Sequence, residues 1–259
     1  MISLWVLFLL VGAAGGFTAG LFGVGGGLVI VPTLYFLWRS DPILGAEVMH
    51  FAVATSLACI VVTSITSSWT HWRAGRLQPE RVYGLAASVS LGSLSAVCLA
   101  NWVPTPWLKL GFGLFALATC ISLLLKKSEA VRPATLKTPE LIAAGTFIGH
   151  LSTLLGVSGG AMTVPYLVLR GVDMRQAVVT SSAVAIPISL IGALGLALTG
   201  PDTPQPLGYV HLPAFAGISM VSLVFANWGA RLSQKLDKRK LQMAFALFLA
   251  LVAVHMLGF

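Results

Sequence analysis

The chain alternates between apolar blocks of about 20 residues and short polar stretches, and blocks of this length can cross a ~30 Å hydrocarbon core as helices. No acidic residue falls in the middle of a block; the Asp and Glu residues lie at block ends or between blocks. The pattern predicts an all-α integral membrane protein. The blocks are Ile2–Phe22, Leu28–Trp38, Glu47–Ser68, Arg81–Trp102, Trp107–Leu125, Glu140–Leu155, Ala161–Leu169, Met174–Leu198, Tyr209–Leu232 and Leu241–Phe259.

Composition supports this interpretation. Hydrophobic residues make up 57% of the 259 residues and charged residues only 9%, whereas a soluble domain has roughly a quarter charged residues. The formal net charge of +8 is explained by cytoplasmic loops, which collect Lys and Arg. We therefore predict the lipid bilayer, and no nucleic acid, as a partner.

The sequence predicts neither a cofactor nor a metal site. Cys59, Cys98 and Cys120 lie inside apolar blocks without C-x-x-C spacing, which is typical of packing residues. The chain contains no G-x-x-x-x-G-K-[ST] motif, so ATP hydrolysis is not expected to supply energy.

Four segments recur in the same order in the two halves of the chain. Phe22–Pro32 matches Leu155–Pro165 at six of eleven positions, and Ala52–Ala58 matches Ala177–Ala183 at five of seven. Ala100-Asn101-Trp102 returns as Ala226-Asn227-Trp228, and Leu108–Phe115 echoes Leu241–Phe248. A duplication is predicted, with a first transmembrane repeat at 1–125, a cytoplasmic linker at 126–138 and a second repeat at 139–259.

Two segments have lengths that do not fit a single crossing. As straight helices, Ile2–Trp38 would extend about 55 Å and Pro139–Leu169 about 46 Å, and each is interrupted by a glycine cluster. Either each segment crosses once, or each doubles back at its glycines as a helical hairpin. Doubling back places all of the 16 Lys and Arg residues except Arg39 and Lys109 on one side, which the positive-inside rule favours.

The predicted fold is therefore two inverted repeats, each a glycine-broken hairpin followed by three transmembrane helices. Such repeats are typical of secondary transporters. The predicted location is the cell membrane, inner or plasma, with several passes and both termini extracytoplasmic. A coupling ion, either a proton or sodium, is compatible with this arrangement; the oligomeric state is left open.

The glycine breaks are the first candidate anion site. A short helix restarts after each break, and its N-terminus carries unpaired N–H groups and a partial positive charge. Glycine lets a ligand approach this backbone closely, and replacing Gly26 or Gly159 is expected to force φ values that only glycine adopts easily. The alternative is that the glycines only permit close helix packing. The candidate residues are Gly23, Gly25, Gly26, Gly27, Gly156, Ser158, Gly159 and Gly160.

A second candidate set consists of duplicated hydroxyls that can donate to a bound anion or bond back to their own helix. They are Thr55, Ser56, Thr180 and Ser181, with Ser182 beside them. His150 is the histidine nearest a break, but it corresponds to Phe17 and so is not part of a duplicated site.

A hydrolase is a remote alternative. Gly156–Gly160 fits the G-x-S-x-G elbow of α/β-hydrolases. Intramembrane serine proteases also use a Gly-x-Ser-Gly stretch with a histidine partner, for which His211 or His255 would be the candidate. However, that elbow follows a strand, and Ser158 aligns with Gly25 in the first half.

The sequence resembles the sulfite exporter TauE/SafE family along its whole length. The resemblance is carried by Gly23-Val24-Gly25-Gly26-Gly27 ending in Pro32 and by its echo ending in Pro165. Further matching features are His71 with Gly75, Thr180-Ser181 leading to Pro187, Gly192 and Gly200, and the basic residues from Arg231 to Lys240. The resemblance implies a permease with duplicated halves for sulfite, sulfonates or other small organosulfur or carboxylate anions.

We therefore predict a secondary transporter of small anions that works by alternating access at the interface of the repeats. An anion channel is the main alternative, and an intramembrane serine hydrolase the remote one. No catalytic residue is predicted.

Overall fold

The computed structural model describes residues 2–22, 25–41, 44–125, 138–200, 207–233 and 238–258, and every regular element in these ranges is helical. A single 3₁₀ turn, Gly45–Glu47, precedes the third α-helix. The α-helices are α1 (Ile2–Phe22), α2 (Gly27–Trp38), α3 (Val48–Arg73), α4 (Pro79–Ala100), α5 (Thr105–Leu125), α6 (Thr138–Leu155), α7 (Gly160–Leu169), α8 (Met174–Thr199), α9 (Leu212–Ser233) and α10 (Lys238–Leu257).

The all-α membrane fold is confirmed. Six of the described helices contain segments long and apolar enough to cross a bilayer, in α1, α3, α4, α5, α8 and α9. The spans of α3 and α8 are the most buried of these, at 78% and 67% of their residues, so these two helices form the centre of the molecule.

Several helix boundaries differ from the sequence prediction, and the structure shows the reason for two of them. α3 continues to Arg73 instead of ending at Ser68, and it stops before Gly75, which has a φ of +66°. α9 begins at Leu212 and not at Tyr209, because the Nδ1 atom of His211 accepts a hydrogen bond from the N–H of Ala214 at 3.2 Å. This bond caps the helix and fixes its start.

Both interrupted segments double back, as the hairpin interpretation predicts. In the first, the rings of Phe8 on α1 and Trp38 on α2 lie 6.5 Å apart, so the two helices run antiparallel. In the second, Arg170 forms an ion pair with Glu140, and the hydroxyl of Ser152 lies 3.8 Å from the sulfur of Met162. Each glycine cluster is therefore a hairpin turn.

Helices of opposite halves pack through glycines. Gly12 and Gly16 of α1 lie against the backbone of α9, and Gly145 and Gly149 of α6 lie against α4. The spacing of four residues places each pair on one helix face, which lets the backbones approach closely. In both pairs the contacting positions advance together along the chain, so the paired helices run parallel.

Equivalent helices of the two halves pack antiparallel. Ser68 of α3 donates a hydrogen bond to Ser182 of α8 at 3.5 Å, while Leu57, earlier on α3, contacts Gly192, later on α8. Likewise, Cys120 of α5 donates to the carbonyl oxygen of Ala246 on α10 at 3.2 Å, while Gly113, earlier on α5, lies against Leu257, later on α10. The packing pairs thus remain the same when the halves are exchanged.

The helix directions define two ends of the bundle. The "His50 end" is where α3 begins, and it also holds Arg39, Lys109 and the last residues of α8. The amide nitrogen of Asn101 donates to Thr199 there at 2.9 Å. The "Arg73 end" is where α3 ends, and it holds the open end of the α6–α7 hairpin with its Glu140–Arg170 ion pair.

Candidate functional site

The two hairpin turns meet in the interior. A Cβ atom added to Gly25 would overlap the side chain of Ser158, and one added to Gly27 would lie 2.5 Å from the carbonyl oxygen of Gly156. The folding of the two halves therefore brings most of the glycine candidates together. Gly23 lies outside the described residues.

Only some of these glycines require the left-handed region. Gly25, Gly26 and Gly156 have φ values of +70°, +76° and +65°, which disfavour a residue with a Cβ atom. Gly159 has a φ of −49°, which any residue adopts, so the expectation of a strained backbone there is wrong. A side chain at Gly159 would instead overlap Ile188.

The first turn of α7 is partly capped by its own loop. The N–H of Gly160 donates to the hydroxyl oxygen of Ser158 at 3.3 Å, and the N–H of Ala161 donates to the Ser158 carbonyl at 3.3 Å. Ser158 therefore takes up two donors that the sequence analysis assigned to a ligand.

The four duplicated hydroxyls have different environments. Ser56 donates to the carbonyl oxygen of Gly156 at 2.8 Å and so holds the second turn against α3. Thr55 accepts a bond from the backbone N–H of His211 at 3.0 Å. Thr180 and Ser181 are fully buried, and their hydroxyls have no hydrogen-bond partner among the described residues.

A small recess of about 20 Å³ lies beside the meeting point of the turns, which is room for about one water molecule. Its lining comes from α1, α3, α8, α9 and both hairpin turns, and none of it is charged. Because it uses the second halves of α1, α3 and α9, it lies between the turns and the Arg73 end. The lining residues are Ala19, Gly20, Gly25, Thr63, Ser64, Ser67, Ser158, Ser182, Ala185 and Ala226.

Five hydroxyls line this recess, and three of them donate to carbonyl oxygens of their own helix. The donors are Thr63, Ser64 and Ser182, with distances to these oxygens of 3.2, 3.2 and 2.8 Å. Among the described residues, no acceptor is paired with the hydroxyl hydrogens of Ser67 and Ser158. These two hydroxyls can donate to a ligand without breaking a helix bond.

Thr63, Ser64 and Ser67 were missed by the sequence analysis, which followed the duplicated positions. A signal for them exists, since Ser56, Thr63 and Ser67 recur at a spacing of seven and four residues and so share one face of α3. The repeat does not reveal Thr63 and Ser67 because their counterparts are Ile188 and Gly192, and Ser64, which matches Ser189, lies outside the segment that was matched.

The region on the other side of the turns differs at two positions. Continuing the repeat register, Thr63 corresponds to Ile188 and Ser182 to Leu57, and both apolar side chains are fully buried. Leu57 also contacts Gly192. At each of these positions a hydroxyl of the recess is thus replaced by a buried apolar side chain.

Among the described residues, no histidine forms a hydrogen bond with Ser158. The Nδ1 atom of His211 is occupied by the N–H of Ala214, and the ring of His255 packs on Phe36 at 5.2 Å. His150, near the second turn, lies 2.8 Å from the hydroxyl of Ser95.

Comparisons with known proteins agree with this architecture. A sequence model of the family described as "Sulfite exporter TauE/SafE" matches residues 8–256. A probable membrane transporter protein of Haemophilus influenzae is 35% identical, with 99% of each chain covered. One of Methanocaldococcus jannaschii is 28% identical, covering 97% of this chain and 94% of its own. The chain belongs to the TauE/SafE sulfite exporter family and is a multi-pass membrane transporter.

Proposed function

We propose that this transporter carries small anions, such as sulfite, sulfonates or small carboxylates, and that the recess beside the hairpin turns receives them. The observation that supports this most is the meeting of both turns at a hydroxyl-lined recess. Hydroxyl and backbone donors stabilise an anion inside a bilayer without a buried cation, whose own burial would be costly.

The charge distribution supports an anionic substrate. The described side chains of Arg73, Arg76 and Arg170 are on the Arg73 end or adjoin it, on the side of the recess. A basic surface raises the local concentration of anions and their rate of arrival, while the neutral lining binds them weakly enough for release.

We infer two inverted repeats, at 1–125 and 139–259, that work by alternating access. The antiparallel packing of α3 on α8 and of α5 on α10 supports the inversion, because equivalent helices then cross the bilayer in opposite directions. The position of the recess on the side of the Arg73 end supports a state open toward that end. Transport in this scheme requires the His50 end to open in turn.

The test is uptake into proteoliposomes together with binding to purified protein, using sulfite, thiosulfate, sulfoacetate, taurine and small carboxylates. Ser158→Ala and Ser67→Ala each remove one free donor and should weaken binding of the transported anion about tenfold to a hundredfold. Ser90→Ala is the matched control, because Ser90 bonds only its own helix, at 2.7 Å from the carbonyl oxygen of Ala86.

Four outcomes separate the alternatives. Accumulation of an anion against its electrochemical gradient supports a transporter, whereas equilibration alone indicates a channel. Equal binding by the Ser67, Ser158 and Ser90 variants would remove the recess as the site. Hydrolysis of a peptide substrate that is lost in Ser158→Ala would replace the proposal with an enzyme.

A further inference from the structure

A cluster of aromatic and titratable side chains lies at the His50 end. The ring of His211, just before α9, lies 4.8 Å from the ring of Trp38 and 6.0 Å from that of Phe8. These three rings, which we call the latch, join the open end of the α1–α2 hairpin to the start of α9. The N–H of His211 also donates to Thr55, which ties the same point to α3.

The hydrogen bonds of the latch require a neutral imidazole. Because the N–H of Ala214 donates to Nδ1 of His211, this nitrogen carries no proton. Protonation would replace the bond by two opposed N–H groups and place a positive charge at the N-terminus of α9, where the helix dipole disfavours a cation. Binding of a proton is therefore incompatible with the closed latch.

A second histidine nearby lacks this property. Nε2 of His50 lies 3.0 Å from the carbonyl oxygen of Ala100, which can only accept, so Nε2 already carries a proton. Its buried Nδ1 has no hydrogen-bond partner among the described residues. A proton added to Nδ1 would leave the existing bond intact, so His50 does not act as a switch in the same way.

We propose that His211 is a proton-operated latch, which keeps the His50 end closed while neutral and favours its opening when a proton from the solution on that side binds Nδ1. This inference rests on the proposed function in one respect, since it names a proton as the ion that regulates or drives transport. The proton enters from water and returns to it, so the step requires no other reactant.

The charged and titratable neighbours define the expected direction. Burial lowers the pKa of His211, while its backbone hydrogen bond and the negative charge of Asp41 oppose that effect. The neighbouring groups Glu47 and His50 contact Tyr209, which precedes His211 by two residues. The ring of His50 stacks on the ring of Tyr209 at 5.1 Å. Burial and the adjacent Glu47 carboxylate raise the Tyr209 pKa to about 12, so Tyr209 stays neutral. Phe8 and Trp38, the contacts from α1 and α2, are uncharged.

The sign follows from linkage. In the closed state the pKa of His211 lies below that of a hydrated histidine. The closed state is therefore favoured at a pH above the hydrated pKa, and it becomes less favoured as the pH falls from the hydrated pKa toward the lower pKa of the closed state. A difference of one pKa unit between the closed and open states changes their ratio at most about tenfold. The response should lie at or below about pH 6.5, the ordinary histidine pKa.

Opening can be followed at Leu34, which is fully buried on α2 one turn below Trp38 and so lies on the same helix face. The probe is Leu34→Cys in a chain whose Cys59, Cys98 and Cys120 are replaced by alanine. Its rate of modification by a small water-soluble methanethiosulfonate is measured from about pH 8 to pH 5.5, on both sides of the histidine pKa.

His211→Asn is the matched variant, because an asparagine side-chain oxygen can accept the Ala214 N–H as an N-cap but takes no proton. The ratio of modification rates with His211 to those with His211→Asn cancels the pH dependence of the thiol itself. This ratio should rise several-fold toward pH 5.5. His71→Asn, at the Arg73 end, should leave the rise unchanged.

The latch is overturned if this ratio is constant with pH, which means that the modification rate rises equally when His211 is replaced. That conclusion holds even if anion uptake is normal. Failure of anion uptake with a rising ratio overturns the proposed function and leaves the latch standing. If His211→Asn unfolds, the same measurement is made with His211→Gln and tests the latch in its place. The folded state of whichever variant is used is checked by thermal unfolding before the rates are compared.

Discussion

Gly25 combines two constraints at the scale of a single residue. Its φ of +70° is unfavourable for other residues, and an added Cβ would lie 2.5 Å from the hydroxyl oxygen of Ser158. A left-handed conformation costs roughly 1–2 kcal/mol for an L-residue, and steric overlap between the turns adds to that. We predict that Gly25→Ala lowers anion uptake at least tenfold by forcing the two turns apart.

Gly75→Ala separates strain from contact. Gly75 has a φ of +66°, but nothing lies within 4 Å of an added Cβ, so it meets only the backbone cost. Uptake by this variant should stay near normal.

The contact between the two turns is tested by a double variant. Adding Ser158→Gly to Gly25→Ala should recover part of the thermal stability that Gly25→Ala alone loses. If it recovers none, the contact between the turns is not the cause of that loss.

At the scale of elements, close packing of α4 on α6 depends on glycines of unequal importance. A Cβ on Gly92 would overlap the carbonyl oxygen of Thr146 and lie 2.7 Å from the backbone nitrogen of His150. Backbone atoms cannot rotate away, so Gly92→Ala should separate the helices and destabilise the protein by about 1–3 kcal/mol. The thermal unfolding midpoint in detergent measures this effect.

Gly84→Ala on the same helix is the control. Its added Cβ would lie 3.1 Å from Cδ2 of Leu141, the end of a flexible side chain. Alanine also stabilises a helix interior by about 1 kcal/mol relative to glycine, so the midpoint should stay level or rise. Equal losses for both variants would show that packing on α6 does not limit stability.

At the scale of the whole molecule, the prediction concerns orientation in the membrane. The distribution of basic residues places the Arg73 end in the cytoplasm and the His50 end, with both termini, outside. Single cysteines labelled with a membrane-impermeant reagent in intact cells measure this. The cytoplasmic set is Arg76→Cys, Lys126→Cys, Arg175→Cys and Lys238→Cys, and the outside set is Arg39→Cys and Lys109→Cys.

Only the outside set should react before the cells are permeabilised. Opposite accessibility of Lys126→Cys and Lys238→Cys would remove the inverted arrangement, because it requires both linking segments to lie on the same side.

The sequence by itself determined the elements and their directions. Apolar blocks of membrane-spanning length define helices almost independently of context, since backbone groups inside a bilayer must be paired locally. The positions of Arg39 and Lys109 favoured doubling back over single crossings, and the contacts of Trp38 with Phe8 and of Arg170 with Glu140 confirm it. The charge pattern distinguishes these two arrangements because they place the same basic residues on different sides of the bilayer.

Only the tertiary structure decided which polar groups are free. Thr55 and Ser56 match their counterparts in sequence, yet α9 and the second turn use their hydroxyls. Ser67 and Ser158 keep free donors because of where α3 meets the hairpin turns. The availability of a hydroxyl, and whether a side chain such as Leu57 fills a space or leaves it open, depends on residues far away in the chain. The residue pattern of one segment does not specify which residues will pack against it.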